Sequence, residues 1–218
     1  MDNQDLAALL CSRLCHDLVS PVGAISNGLE ILQSGDDPAL REQVVDLLEK
    51  SASQASHKLQ FFRLAFGAGG GFGSELELKE AHSTLSAFLA GTRVTLTWQA
   101  PHAFAPKGFI KILLNLALVA AESLIRGGAM TVTVEEQTGV GAGGRYPKLT
   151  ILAEGQRVIL QEQVLAGLRG GEGVDVLEAK AAPAALAAHI AKEDGGAIFV
   201  DAGTDGHLEL QFVPRVDV

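Results

Sequence analysis

The chain has 218 residues, 47% of them hydrophobic, and a formal net charge of −9 at pH 7. That apolar content supports one large domain, or one domain with an appendage. The acidic balance argues against nucleic acid or an anionic membrane as the main partner, and no apolar run reaches the roughly 18 residues of a membrane span.

The first five residues are acidic and polar, unlike the basic start of a signal peptide, which points to the cytoplasm. Cys11 and Cys15 make no disulfide framework and read as free thiols there. Residues 3 to about 32 read as one amphipathic helix. At about 100° per residue Leu14, Leu18, Val22, Ile25, Leu29 and Leu32 share one face, which the helix is expected to bury. His16 lies nearly opposite, with Ser20, Gly23 and Asn27 on its side. Pro21 removes one intrahelical donor and is expected to kink the helix. At the turn, Gly35 suits a C′ position, Asp37 an N-cap and Pro38 the first helical position. A second helix then runs to about residue 66. Two helices joined so tightly pack antiparallel, and because a hairpin buries too little alone, two copies are expected to form a four-helix bundle.

Five glycines among residues 67–73 read as a linker. The chain therefore divides into a helical hairpin at 1–66, the linker, and a second domain at 74–218. In that domain residues 80–90 look helical and 94–98 alternate like a strand. Pro106 opens a strong helix over 107–126, closed by Gly127 and Gly128. Strands follow at 130–136 and 149–153, on either side of a loose loop at 139–144. Weaker helices cover 160–168 and 181–193. A terminal hairpin joins 197–201 to 207–213. The expected fold class is α plus α/β, the second part a sandwich of one sheet layer and one helix layer.

His16 is the candidate for chemistry. It faces solvent from a rigid helix. Asp17 is placed to orient the imidazole or accept its proton. Ser20, at i+4, shares its face. With the turn centred near Gly35, the antiparallel partner of His16 lies near residue 54. Lys50, Lys58 and Arg63, with Arg13 and Asn27 on the first helix, are then candidates for contacting an acidic partner surface, with ordinary solvated side chains as the alternative for each. The spacing Cys11-x3-Cys15-His16 is one residue longer than a haem-attachment motif. No second Cys/His pair completes a zinc site.

His16-Asp17-Leu18-Val19-Ser20-Pro21-Val22 resembles the H-box of histidine kinases, in which the histidine is phosphorylated. The later domain resembles the kinase ATP-binding domain in its order of elements. The run from Leu113 through Asn115 to Glu122 is similar to the N-box helix. Ala153-Glu154-Gly155-Gln156-Arg157 stands where an Asp-x-Gly-x-Gly box belongs. Residues 170–174 stand at the second glycine box, and 189–200 at the C-terminal helix and its Gly-Gly turn. Three positions depart from that pattern. Val119 replaces the asparagine that holds the nucleotide's metal, and valine has no oxygen for Mg²⁺. Ala153 replaces the aspartate that bonds the adenine amino group, and Arg157 replaces the box's last glycine. Without the metal ligand, phosphoryl transfer from ATP is not expected.

An intact histidine-bearing half beside an eroded ATP half resembles the ChpT-type histidine phosphotransferases of bacterial phosphorelays. The resemblance implies a cytoplasmic homodimer without a cofactor of its own. His16 takes a phosphoryl group from the receiver aspartate of a CckA-like hybrid kinase and passes it to CtrA-like and CpdR-like response regulators, whose receivers bring Mg²⁺. The rival expectations are an ATP-using sensorless histidine kinase and a non-catalytic receiver-binding scaffold. A phosphatase role for Ser20 belongs to the same chemistry.

Overall fold

A computed structural model describes residues 2–34, 37–67, 75–101, 103–135, 147–171, 173, 176–203 and 206–214. Gly35, the glycine-rich stretch from 68 on, the 139–144 loop and residues 172, 174, 204 and 205 of two later turns lie outside the described residues.

Helix α1 runs over Asn3–Ser34 and α2 over Pro38–Ala65. The expected start signal of α2 is present: the Asp37 side chain accepts from the Ala39 amide at 3.0 Å, and Pro38 follows as the first residue. The seam between the helices differs from the expected leucine stripe. The buried positions of α1 are Leu6, Arg13, Pro21 and Gly28, spaced by seven or eight residues. On α2 the buried positions before its last turns are Val44, Ser51 and Ala55, and Gly28 faces Val44 and Leu48. A Cβ on Gly28 would stand 2.8 Å from Leu48 Cδ2, so a larger residue there would require the Leu48 side chain to shift. The leucine-rich stripe falls beside this seam. Val22 is 51% and Leu29 48% exposed, and on α2 Leu40, Val45 and Leu47 are open as well.

The C-terminal region opens with strand β1 (Glu75–Glu77), helix α3 (Leu78–Leu89), strands β2 (Val94–Gln99) and β3 (Phe104–Pro106), and helix α4 (Lys107–Ser123). Strands β4 (Gly128–Glu135) and β5 (Lys148–Glu154) follow, then helices α5 (Glu162–Leu168) and α6 (Ala182–Glu193), and strands β6 (Ala197–Ala202) and β7 (His207–Val213). Five strands form one sheet in the order β2-β4-β5-β7-β6, with β2 and β4 parallel and the other pairs antiparallel. The short antiparallel pair β1–β3 is separate and was not evident from the sequence. Alternate residues Met130, Val132 and Val134, Leu149, Ile151 and Ala153, and Leu208, Leu210 and Phe212 form the inner face of the sheet. Nearly every side chain of α4 from Phe109 to Ala120 is buried, as its almost wholly apolar sequence requires. The helix stops at Ser123, three residues before the expected end. There Leu124 bridges Val158, and Gly127 turns the chain at φ +84°.

The hairpin is built into this domain at one end only. Phe61, Phe62, Leu64 and Ala65 of α2 belong to the same buried core as α3, α4 and the sheet, and Phe61 stacks on Phe88 with ring centroids 4.2 Å apart. Leu6 of α1, with Leu9 and Leu10 beside it, packs on Ala166, Leu177, Ala181, Ala185 and Leu186 around α5 and α6. The turn end of the hairpin leaves the domain and carries the open apolar residues. Among the described residues α1 alone has the length and mean hydropathy, 1.2 over 18 residues, of a membrane span, yet its Arg13 is paired to a carboxylate of α4.

Candidate phosphoacceptor site

His16 lies where the hairpin emerges from the domain, and its side chain is 84% exposed. Its Nδ1 is 3.1 Å from Asp17 Oδ1. A carboxylate there favours the proton on Nδ1, which leaves the Nε2 lone pair directed at solvent.

Asp17 itself is held through its side chain and its backbone, and its side-chain partner is anchored in turn. Its Oδ2 accepts from Arg13 Nε at 3.0 Å, one turn earlier. Arg13 turns its other two nitrogens to Glu122 of α4: Nη1 donates to Oε2 at 3.2 Å and Nη2 donates to Oε1. The other tie is on the backbone. An α-helical N–H bonds the carbonyl four residues earlier, so Pro21, which has no N–H, leaves the Asp17 carbonyl without its helical donor. Lys58 Nζ donates to that oxygen at 2.9 Å. An ammonium from α2 thus fills the gap the proline makes, and α1 stays helical through it.

These contacts revise the placement of two expected docking cations. Arg13 is only 6% exposed. Burial by itself lowers the pKa of its guanidinium, but the bonds and charges of Glu122 and Asp17 outweigh this and hold it above the ordinary value. Lys58 is half-buried and bound to Asp17. Both act as internal struts at Asp17: Arg13 supplies a counter-charge that Glu122 of α4 steadies, and Lys58 supplies a backbone donor from the facing helix.

The register shifts too. With Lys58 at Asp17 and Val44 and Leu48 at Gly28, the level of His16 is near residues 58–59, about one turn beyond the expected residue 54. Lys50 is exposed but stands about 13 Å further along the axis, at 1.5 Å per residue. Arg63 is exposed and borders an apolar cleft of about 410 Å³, lined also by Cys11, Leu14, Leu59, Phe62 and Phe66. Ser20 and Asn27 are exposed on α1. Cys11 and Cys15 are exposed free thiols. Among the described residues no three His, Cys, Asp or Glu side chains gather as a metal-binding group.

Glu122 was not singled out from the sequence as a functional residue. The available signal was a lone acid at the end of an otherwise apolar helix. Further along that helix, Asn115 Nδ2 donates to the Ala65 carbonyl at 3.0 Å and so ties α4 to the end of α2.

The three positions expected to depart from the kinase pattern stand in different surroundings. Val119 and Ala153 are both buried in the apolar core. Valine offers a metal no oxygen and alanine offers an adenine no carboxylate, so these residues do not fit a magnesium nucleotide. Arg157 is exposed, and its segment is laced to the end of α4: the Ile125 amide donates to the Arg157 carbonyl at 3.2 Å, and the Ile159 amide to the Ser123 carbonyl at 2.9 Å.

Residues 78–206 match the family described as the histidine phosphotransferase C-terminal domain. Over 131 residues the chain is 41% identical to the protein phosphotransferase ChpT of Brucella abortus (strain 2308), an alignment covering 60% of this chain and 61% of that one. The chain thus matches about three-fifths of that relative's length. The solved structure of a bacterial phosphotransferase superposes with a TM-score of 0.83 at 30% identity, over 98% of both chains, so the likeness includes the hairpin as well as the sheet domain. With the family model matching residues 78–206 and the structural likeness extending over the hairpin, the chain belongs to the histidine phosphotransferase family.

Proposed function

We propose that this chain relays phosphoryl groups between receiver domains in a bacterial phosphorelay, with His16 as the covalent carrier. The observation that carries the reading is the imidazole itself, 84% exposed, with Nδ1 bound to Asp17 and Nε2 left open. In the loading step the Nε2 lone pair attacks the phosphorus of a receiver's aspartyl phosphate. The P–O bond to that aspartate breaks, and the aspartate leaves as a carboxylate. The ring, still carrying its Nδ1 proton, becomes a phosphorylated imidazolium, and Asp17 offsets its positive charge. In the unloading step the carboxylate of a second receiver attacks phosphorus, the P–N bond breaks, and the imidazole regains its lone pair. Mg²⁺ comes with the receivers and stabilises charge on the transferring phosphoryl group. Ser20, one turn on, is positioned to donate a hydrogen bond to a phosphoryl oxygen on Nε2.

The donor in this reading is the receiver of a CckA-like hybrid kinase, and the acceptors are CtrA-like and CpdR-like regulators. Arg63, Lys50 and Asn27 remain the exposed candidates for contacting them. ATP is not the phosphate source; the burial of Val119 and Ala153 within the core supports this. The protein acts in the cytoplasm as a homodimer whose two hairpins complete a four-helix bundle. The apolar residues left open at the turn end support that assembly.

The test is a reconstituted relay of phosphorylated hybrid-kinase receiver, this chain and a response regulator. Label is expected on His16 and then on the regulator, and His16→Ala is expected to abolish both while leaving receiver binding intact. Label on His16 from ATP and Mg²⁺ alone indicates a kinase. Relay that survives His16→Ala refutes the assignment.

A further inference from the structure

Glu122 belongs to the sheet domain, yet it ends a chain of charge that starts at the phosphoacceptor. From the imidazole the links are His16 Nδ1 to Asp17 Oδ1, Asp17 Oδ2 to Arg13 Nε, and Arg13 Nη1 and Nη2 to the two oxygens of Glu122. A guanidinium has five N–H donors in a planar fork and bonds a carboxylate best with two at once. Glu122 takes the bidentate edge of Arg13. Asp17 therefore receives only Nε, through one oxygen, and keeps Oδ1 for the ring.

Without Glu122 this division fails. A guanidinium that is almost wholly buried, with a single carboxylate left beside it, turns its fork onto both oxygens of Asp17. The ring then competes with Arg13 for Oδ1. A histidine released to water prefers the tautomer with the proton on Nε2, which ties up the lone pair that must attack phosphorus.

We propose that Glu122 is a positioning residue for His16: by occupying Arg13 it reserves one Asp17 oxygen for the imidazole and holds Nε2 in its unprotonated, nucleophilic form. The sheet domain thereby sets the readiness of a histidine on a separate helix. The kinetic part rests on the relay reading above; the tautomer part does not.

The experiment uses the full chain and its Glu122→Gln variant, which keeps shape and removes charge, with Glu122→Ala as a second variant. Nitrogen-15 NMR of the ring, with the His16 signals identified by their loss in His16→Ala, reads the tautomer directly. The full chain is expected to show protonated Nδ1 and unprotonated Nε2, and both variants to shift towards protonated Nε2. Transfer from a phosphorylated receiver is expected to slow by about 3- to 10-fold at saturating donor, with KM unchanged within about twofold. The same tautomer in all three proteins overturns the proposal, as does a variant that has lost its fold, since Glu122 is then structural. If the full chain takes no label from any receiver, the relay reading fails while the NMR comparison still decides the role of Glu122.

Discussion

The bond from Lys58 to the Asp17 carbonyl exists because Pro21 leaves that carbonyl open, and this dependence is measurable. Replacing Lys58 by Met removes the ammonium and keeps most of the stem. A hydrogen bond to a charged group contributes about 1.5–3 kcal/mol where no substitute is available. Lys58 is half-buried, so water replaces part of the loss and the expected cost is about 1 kcal/mol. In a Pro21→Ala background the residue 21 amide bonds the same carbonyl, and the cost of Lys58→Met is expected to fall to about 0.3 kcal/mol. The coupling energy of the cycle is then about 0.7 kcal/mol, a value typical of residues sharing one partner. Any cavity left by the buried Pro21 ring occurs in both arms and cancels. Urea midpoints of the four proteins at one fixed protein concentration measure it. Additivity within about 0.3 kcal/mol refutes the idea that lysine substitutes for the missing donor.

Two other perturbations follow from the same structure. In a two-fold bundle Leu29→Glu places a carboxylate in the interface twice, losing about 1 kcal/mol of apolar burial and adding about 2 kcal/mol of desolvation per copy. A loss of about 6 kcal/mol corresponds to about four decades in Kd; sedimentation at micromolar concentration should show folded monomers, and an unchanged dimer removes Leu29 from the interface. Lys111 has its pKa lowered by burial first and by the neighbouring Lys107 charge second. The folded chain therefore gives up that proton at a lower pH than the unfolded chain, so stability rises with pH between the lowered value and 10.5. Lys111→Met is accordingly expected to stabilise at neutral pH, and that advantage to shrink as thermal melts are taken towards pH 10; an advantage unchanged across that range contradicts it.

Most of the architecture could be read from the sequence because its signals are local. Asp37 and Pro38 mark a helix start, the run from Phe109 to Ala120 is apolar but for Lys111 and Asn115, residues 130–134 alternate with a period of two, and 149–153 form a short, mostly apolar run. The imidazole and its adjacent carboxylate were legible for the same reason. Residues whose partners are distant in sequence were not. Arg13 reads as a surface cation until Glu122, 109 residues away, is brought beside it. Lys58 reads as a docking charge until Pro21 is seen to leave a carbonyl free on the facing helix. The leucine stripe misled in a different way. Periodicity identifies which residues share a face but not what covers them: within one chain the buried positions of α1 are Leu6, Arg13, Pro21 and Gly28, while Val22 and Leu29 of the stripe stay open.

A nucleophile that must meet a second protein has to be exposed, so packing around its ring is not available to orient it. Here the orientation comes from beneath. The ring of His16 touches solvent on nearly all sides, while the next residue is fixed through its backbone by Lys58 and through its side chain by Arg13. Each strut is anchored in a different element, Lys58 in α2 and, through Glu122, Arg13 in α4. Only the second reaches the sheet domain, and it does so at Glu122, one turn beyond the buried Val119 of the same helix. Supporting a carboxylate at the end of α4 requires a rigid helix, and the burial of α4 in the apolar core supplies that rigidity. Under the role proposed for Glu122, the support of His16 that comes from outside the hairpin is the contact the sheet domain makes with Arg13.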